Sequence, residues 1–422
     1  MGLPVQKTVL SHLTISGLLP VIRFGYGFCL AALLSKQLTV ESYGNWSLFI
    51  SMIGLILTFS SMNLMYASNV LLTGKDRKQQ KQDIFSVSVT KGCVTLLVYA
   101  CFACYLLYND VFTPTVLALM FAALVCRTVN DLCFGLCRAL LLIGRQVLFL
   151  FVESALIIAA ILVGCYYFEG GLEGALYGFI AAEFLATTLG MYLLRDYLEV
   201  TRYDLRVVKK YLALGLPLLP FAFSDLIVNS LVPLLLKLYD SFESVAFYSI
   251  AQKVALVATI PTAIVNNVYA QYLKKSRSSA NGSAVRRTFL IFLSIYLLLA
   301  LPLLLFMYLF GKDVIALVST VEYVHSYDLM LLLVLVNMLV SVSAMLTTLF
   351  AVFERTRTVG YIWLGVLALF VSISGYCFDR WQMHGIAYAL LISFGLGLML
   401  VAVAVSFLKK SIRRRRNADN AI

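Results

Sequence analysis

The sequence predicts an all-α integral membrane protein: twelve transmembrane helices in two parallel six-helix halves around a central cavity. Three observations carry that prediction: an extreme apolar content, apolar runs long enough to span a bilayer, and a weak internal duplication. Hydrophobic residues make up 61% of the 422, and charged residues only 13%. The mean hydropathy is +0.92. A water-soluble domain carries about twice that share of charge. Most of this chain is suited to lipid.

A helix needs about 20 mostly apolar residues to cross a bilayer. Runs of that kind fall near 9–34, 44–72, 84–108, 112–137, 146–168, 174–194, 212–238, 244–273, 288–310, 324–352, 358–379 and 384–408. The first is too long for the apolar region of a cleavable leader, and no small-x-small site follows it. It is therefore expected to remain as the first span.

The connections between runs alternate in sign. One set is basic: Lys75, Arg77, Lys78, Lys81 and Lys91 in one loop, Arg195 to Lys210 in another, then Lys274 to Arg287, and finally the tail KKSIRRRR. The other set is poor in basic residues and carries Glu41, Asp110, Glu173, Asp240, Glu243 and Asp313. Basic loops stay in the cytoplasm, so both termini are expected there and the span count is even. The net charge of +12 is then a topology signal, and the tail suits anionic lipid rather than nucleic acid. Every connection is short, which leaves no room for a soluble domain. The longest cytoplasmic one, RDYLEVTRYDLRVVKKYL, divides the chain into halves 1–205 and 206–422.

The nine cysteines lie in or beside apolar runs, where the thiol acts as a small hydrophobe. Cys101 and Cys104 have a redox spacing, but their setting, VYACFACYLL, has no cation to lower a thiol pKa. With three histidines in the chain, no metal site is expected. No cofactor and no catalytic group are expected either.

The halves echo one another. ESYGNWSLFISM (41–52) aligns without gaps on ESVAFYSIAQKV (243–254), each opening the second span of its half. GLEGALYGF (171–179) echoes QMHGIAYAL (382–390) at the start of each sixth span. An even number of spans per half gives the two copies the same orientation.

The offset that lays Glu41 on Glu243 also lays Arg23 on Asp225. Each is an ionisable residue inside a span, a costly placement that usually marks a pathway. Two readings are open. The pair is a salt bridge that holds the halves together, or it lines a site for a charged ligand.

Further charges fall within the first half. Arg127 and Asp131, four residues apart on one helical face, are expected to pair with each other. Glu153 and Glu183 have no local partner in sequence, which makes each a candidate for proton coupling. Lys253 lies in the outer half of the eighth span. Tyr26 shares a helical face with Arg23, and Tyr248 lies in the duplicated motif. Aromatic faces beside an arginine suit a sugar phosphate, although any single tyrosine here also suits ordinary packing.

On the segments VESYGNWSLF, ESVAFYSIAQKVALV, GLEGALYGFIAAEF and HGIAYALLISF, with the twelve runs in two halves, the chain resembles the Wzx-type polysaccharide flippases. These belong to the multidrug/oligosaccharidyl-lipid/polysaccharide exporter superfamily. Ala246 departs from the glycine usual at its position, whereas Gly44 keeps it in the first copy. The resemblance implies a bacterial inner-membrane protein that moves an undecaprenyl-pyrophosphate-linked oligosaccharide, such as an O-antigen unit of lipopolysaccharide, from the cytoplasmic to the periplasmic leaflet. It implies membrane lipids, a polysaccharide polymerase and a chain-length regulator as partners, and Arg23 and Lys253 as cationic lining.

Three rivals remain. A multidrug or cation exporter of the same superfamily would use Asp225, Glu153 and Glu183. A membrane glycosyltransferase would need a long catalytic loop that the sequence lacks. A membrane scaffold would have little use for midplane charges.

Overall fold

A computed structural model describes residues 19, 22–72, 75–167, 171–262, 265, 269, 272–273, 282–352 and 356–419. The start of the first expected span, and Lys274, Lys275 and Arg277 of one basic loop, lie outside the described residues.

The first helix, α1, spans 22–37. Helix α2 (Val40–Ser61) begins at Thr39, whose hydroxyl accepts from the Ser42 backbone N–H at 3.3 Å, one of the orphan donors that every helix start leaves. It ends where Met62 and Asn63 both take positive φ, 42° and 53°, and α3 (Leu64–Leu71) resumes the same span at a new angle. Helix α4 (Arg77–Tyr108) is capped by Asp76, which accepts from Gln79 N at 2.8 Å. Helix α5 (Pro114–Ala139) has Thr113 as its cap and a proline in its first turn, where the missing N–H costs nothing. Helices α6 (Ile143–Tyr167) and α7 (Leu172–Leu194) complete the first six spans.

The seventh run is helical but interrupted. Leu205–Gly215 is α-helical, Leu216–Ala222 is a 3-10 segment containing Pro220, Phe223–Leu226 is α, Ile227–Leu231 is π, and Val232–Tyr239 is α again. Proline cannot donate to the ladder and its ring crowds the preceding turn, so regular winding fails around it. Further on lie Phe242–Ala255, Gly282–Val318, Tyr327–Val352 and a continuous run from Thr356 to Asp419 broken only at Gln382.

Among the described residues, nine helices are long and apolar enough to cross a membrane. These agree with the twelve expected runs: the first is described only from its middle onward, the seventh is interrupted, and the last two count as one helix. The protein is a multi-pass membrane protein.

Two compact units emerge. One comprises Met1–Leu219 with Asn229–Ala246, the other Pro220–Val228 with Phe247–Ile422.

The duplication is visible in local geometry. Ser241 stands where the repeat places Thr39, and its hydroxyl likewise accepts from the N–H three residues on, Ser244, at 3.3 Å. Gly171, which opens α7, has φ +61°. Gln382, its equivalent in the aligned pair of segments, has φ 50° and ψ −134°. Three residues after each is a glycine on which the preceding helix lies. A Cβ on Gly174 would stand 2.3 Å from the Gly164 carbonyl oxygen, and one on Gly385 1.9 Å from that of Cys377. Only glycine permits backbones to approach so closely.

One expected loop charge moves. The sequence groups Lys91 with the basic loop before α4, but the helix extends from Arg77 and carries Lys91 well inside it, with 0% exposure.

Candidate functional site: a charge cluster in the first unit

Five of the first unit's helices each contribute a charged side chain to one region. Helix α4 supplies Lys91 and α5 supplies Arg127, Asn130 and Asp131, which share a face because residues three and four apart do. Helix α6 supplies Glu153, α7 supplies Glu183, and α1 brings Arg23 and Tyr26.

Arg127 is the hub. Its Nη1 donates to Glu153 Oε1 at 2.6 Å and to Glu183 Oε1 at 2.8 Å. The second oxygen of Glu183 accepts from Asn130 Nδ2 at 2.6 Å, and Asn130 also donates to the Glu183 backbone carbonyl at 3.1 Å. The Glu183 side chain is fully buried and that of Glu153 nearly so. Lys91, also fully buried, donates to Asp131. A buried charge survives only where partners replace its lost hydration, and each of these has such a partner.

The expected pairing is therefore corrected. Arg127 does not bond Asp131, its neighbour at i+4, because α6 and α7 bring two carboxylates onto its guanidinium while α4 brings Lys91 onto Asp131. Glu153 and Glu183, isolated in sequence, share one arginine in space.

Arg23 differs from the other two cations. Its guanidinium lies 4.5 Å from the centroid of the Phe134 ring, the cation–π arrangement. The residue is exposed and forms no ion pair among the described residues. Asp131 and Glu153 attract it from a distance, while Arg127 and Arg138 repel it. Tyr26 is half-buried beside it, in the field of Arg127, Glu153 and Glu183. Among the described residues, Arg23 thus presents donors with no carboxylate to receive them.

In the second unit, Lys253 is half-buried on Phe242–Ala255, in the field of Asp225. Asp225, read from the duplication as the counterpart of Arg23, has Lys253 as a neighbour within its own unit. Tyr248 is 1% exposed, and its hydroxyl donates to the Val228 carbonyl at 2.8 Å. That carbonyl belongs to the π segment, where regular pairing is disturbed, so Tyr248 is a packing residue of that unit.

Sequence reasoning missed Lys91, Asn130 and Phe134. Lys91 had a usable signal, since it falls inside the run 84–108. Asn130 had a weaker one, its position three residues after Arg127. Nothing in the sequence connects Phe134 to Arg23.

The profile of the family described as "Polysaccharide biosynthesis protein" matches residues 33–328. No curated protein matches the chain. Among solved structures, an inward-facing multidrug resistance MATE family transporter of the MOP superfamily superposes with TM-score 0.71 at 17% identity, covering 95% of this chain and 99% of that one. The lipid II flippase MurJ, in an inward closed conformation, gives 0.68 at 12% identity, covering 91% and 85%. The MATE multidrug transporter DinF-BH gives 0.65 at 14% identity, covering 96% of each. At such identities the likeness is one of fold, and it agrees with the superfamily resemblance seen in the sequence. The profile covers well over half of the residues: the chain belongs to the polysaccharide biosynthesis protein family.

Proposed function

We propose that this protein is a flippase that carries a lipid-linked oligosaccharide, joined through pyrophosphate to undecaprenol, from the cytoplasmic to the periplasmic leaflet by alternating access. The observation that carries the reading is Arg23. Pyrophosphate is a dense anion that lipid cannot solvate. Arginine remains charged at any relevant pH and binds phosphate oxygens through two parallel N–H groups. Of the three cations in the cluster, Lys91 and Arg127 are committed to carboxylates, and Arg23 is held over an aromatic ring with its donors open. Tyr26 offers an adjacent ring for a sugar. Lys253, an intramembrane cation of the second unit, would serve the same anion at another stage of the path, with Asp225 orienting it.

The rival reading, export of a lipophilic cation, needs an uncommitted carboxylate. In the first unit Glu153 and Glu183 are both engaged by Arg127 and Asp131 by Lys91, which weighs against it.

The test is translocation of undecaprenyl-pyrophosphate-linked oligosaccharide in proteoliposomes. Arg23→Lys, which keeps charge but loses the paired donors, should retain part of the rate. Efflux of a cationic dye, with no movement of the glycolipid, would favour the rival.

A further inference from the structure

Between the end of α7 and the interrupted seventh span, residues 195–204 lead into the helix Leu205–Gly215, here named α8. One side of this segment is pinned. Val208 and Tyr211 are buried, at 2% and 0% exposure. The Tyr211 hydroxyl donates to Asp83 Oδ2 at 2.7 Å, and Asp83 also receives Lys75. The Asp204 backbone N–H donates to Ser86 Oγ at 3.1 Å, and Lys81 lies 2.6 Å from Glu199.

The cations of this side differ in what they meet, and Arg77 and Arg195 lie over the rings of Tyr197 and Tyr192. Lys75 and Lys81 have carboxylate partners. Arg202, Arg206, Lys209 and Lys210 are exposed and form no ion pair among the described residues. Of the acids in this connection, Glu199 is engaged with Lys81, Asp204 caps α8 by accepting from Arg206 N at 2.8 Å, and Asp196 is exposed but precedes the segment 200–210.

On α8, Arg206, Lys209 and Lys210 recur at helical spacing opposite the buried Val208 and Tyr211. Beside them Val200, Tyr203 and Leu205 are 86%, 43% and 53% exposed. Cations interleaved with exposed apolar side chains mark a surface that lies in the headgroup layer. This segment joins two membrane spans, so it sits at that depth.

We propose that the pinned segment 200–210 is a binding surface for anionic phospholipid headgroups of the cytoplasmic leaflet, held through Arg202, Arg206, Lys209 and Lys210. Phosphate chemistry complements four exposed cations that form no ion pair among the described residues. Because the fold already orders the segment, binding costs little further ordering entropy. The proposal is independent of the transported substrate.

The test offers phosphatidylglycerol and phosphatidylcholine together to the detergent-purified protein and counts retained lipids by native mass spectrometry. Phosphatidylglycerol should be preferred, with the preference falling about fivefold for each cation replaced among Arg206→Gln, Lys209→Gln and Lys210→Gln. It should weaken as salt rises, and Arg206→Lys should preserve it.

Loop cations also help set topology, so a second arm uses the unaltered protein. A photoactivatable phosphatidylglycerol in proteoliposomes should mark peptides within 200–210, and the matching phosphatidylcholine should not. Equal retention in the triple variant, or equal marking by both lipids, overturns the proposal.

Discussion

Arg23 and Arg127 are both cations inside the first unit, yet their surroundings differ: Arg127 pairs with two carboxylates, and Arg23 lies over the Phe134 ring. Arg127 holds two buried carboxylates, and removing one member of a buried ion pair leaves a charge stranded, at a cost of about 3–5 kcal/mol. Arg127→Ala should therefore lower the thermal stability of the purified protein sharply, while Arg23→Ala shifts it little because no carboxylate depends on it. Scanning fluorimetry of the two variants checks this, and equal destabilisation would make Arg23 a structural residue too. Glu153→Gln should fall between them, because Arg127 keeps Glu183. If Glu153 also couples transport to protons, this substitution alters the dependence of transport on the proton gradient; unchanged dependence in both Glu153→Gln and Glu183→Gln removes coupling through them. At this scale the sequence identified the intramembrane charges of the cluster except Lys91, but not whom they meet. Pairing at i+4 is the contact that sequence can see, whereas the contacts that prevail at Arg127 come from α6 and α7.

Among the helices, the duplication is the feature most legible in sequence, and its geometry explains the spacing. The segments at Gly171 and Gln382 each open a span with a positive φ, then place a glycine against the helix before. Replacing Gly174 or Gly385 by alanine puts a Cβ inside contact distance of a backbone carbonyl, so both variants should accumulate poorly in the membrane. Gly144→Ala is the control, since nothing lies within 4 Å of its added Cβ. Gln382 is strained by its positive φ where Gly171 is not, and Gln382→Gly should raise stability by about 1 kcal/mol. A drop in melting temperature for that variant would count against the strained assignment. The breaks at Met62–Asn63 and along 216–231 were less legible. Pro220 marks the second, and Asn63 suits one left-handed position, but nothing in SMNLMY announces two in succession. On the basic side, Lys81 holds the Glu199 carboxyl below the usual glutamate range. Its contribution is present above the ordinary glutamate pKa and is lost as pH falls through the lowered value. Because the pair is exposed, Glu199→Gln should change stability only slightly and only at neutral pH, a comparison that melting curves at neutral and acidic pH provide.

For the whole molecule, composition and the length of the apolar runs predicted a multi-pass helical protein, and the family profile tied it to polysaccharide biosynthesis. The orientation remains an expectation to be measured: reporters fused after Lys81 and Lys210 should read cytoplasm, and those after Asp110 and Asp313 periplasm. Lys91 cautions that a cation beside a loop need not be in it. The proposed glycan would be held by dispersed polar groups, which leave no compact motif in the sequence. The central claim is that Arg23 binds the pyrophosphate rather than balancing Asp225. The measurement is glycolipid translocation in proteoliposomes, normalised to inserted protein, for Arg23→Ala, Asp225→Ala and the double variant. The account predicts that Arg23→Ala abolishes translocation and that adding Asp225→Ala does not restore it. Recovery in the double variant would contradict it, because an unbalanced intramembrane charge, not a lost ligand, would then have been the defect.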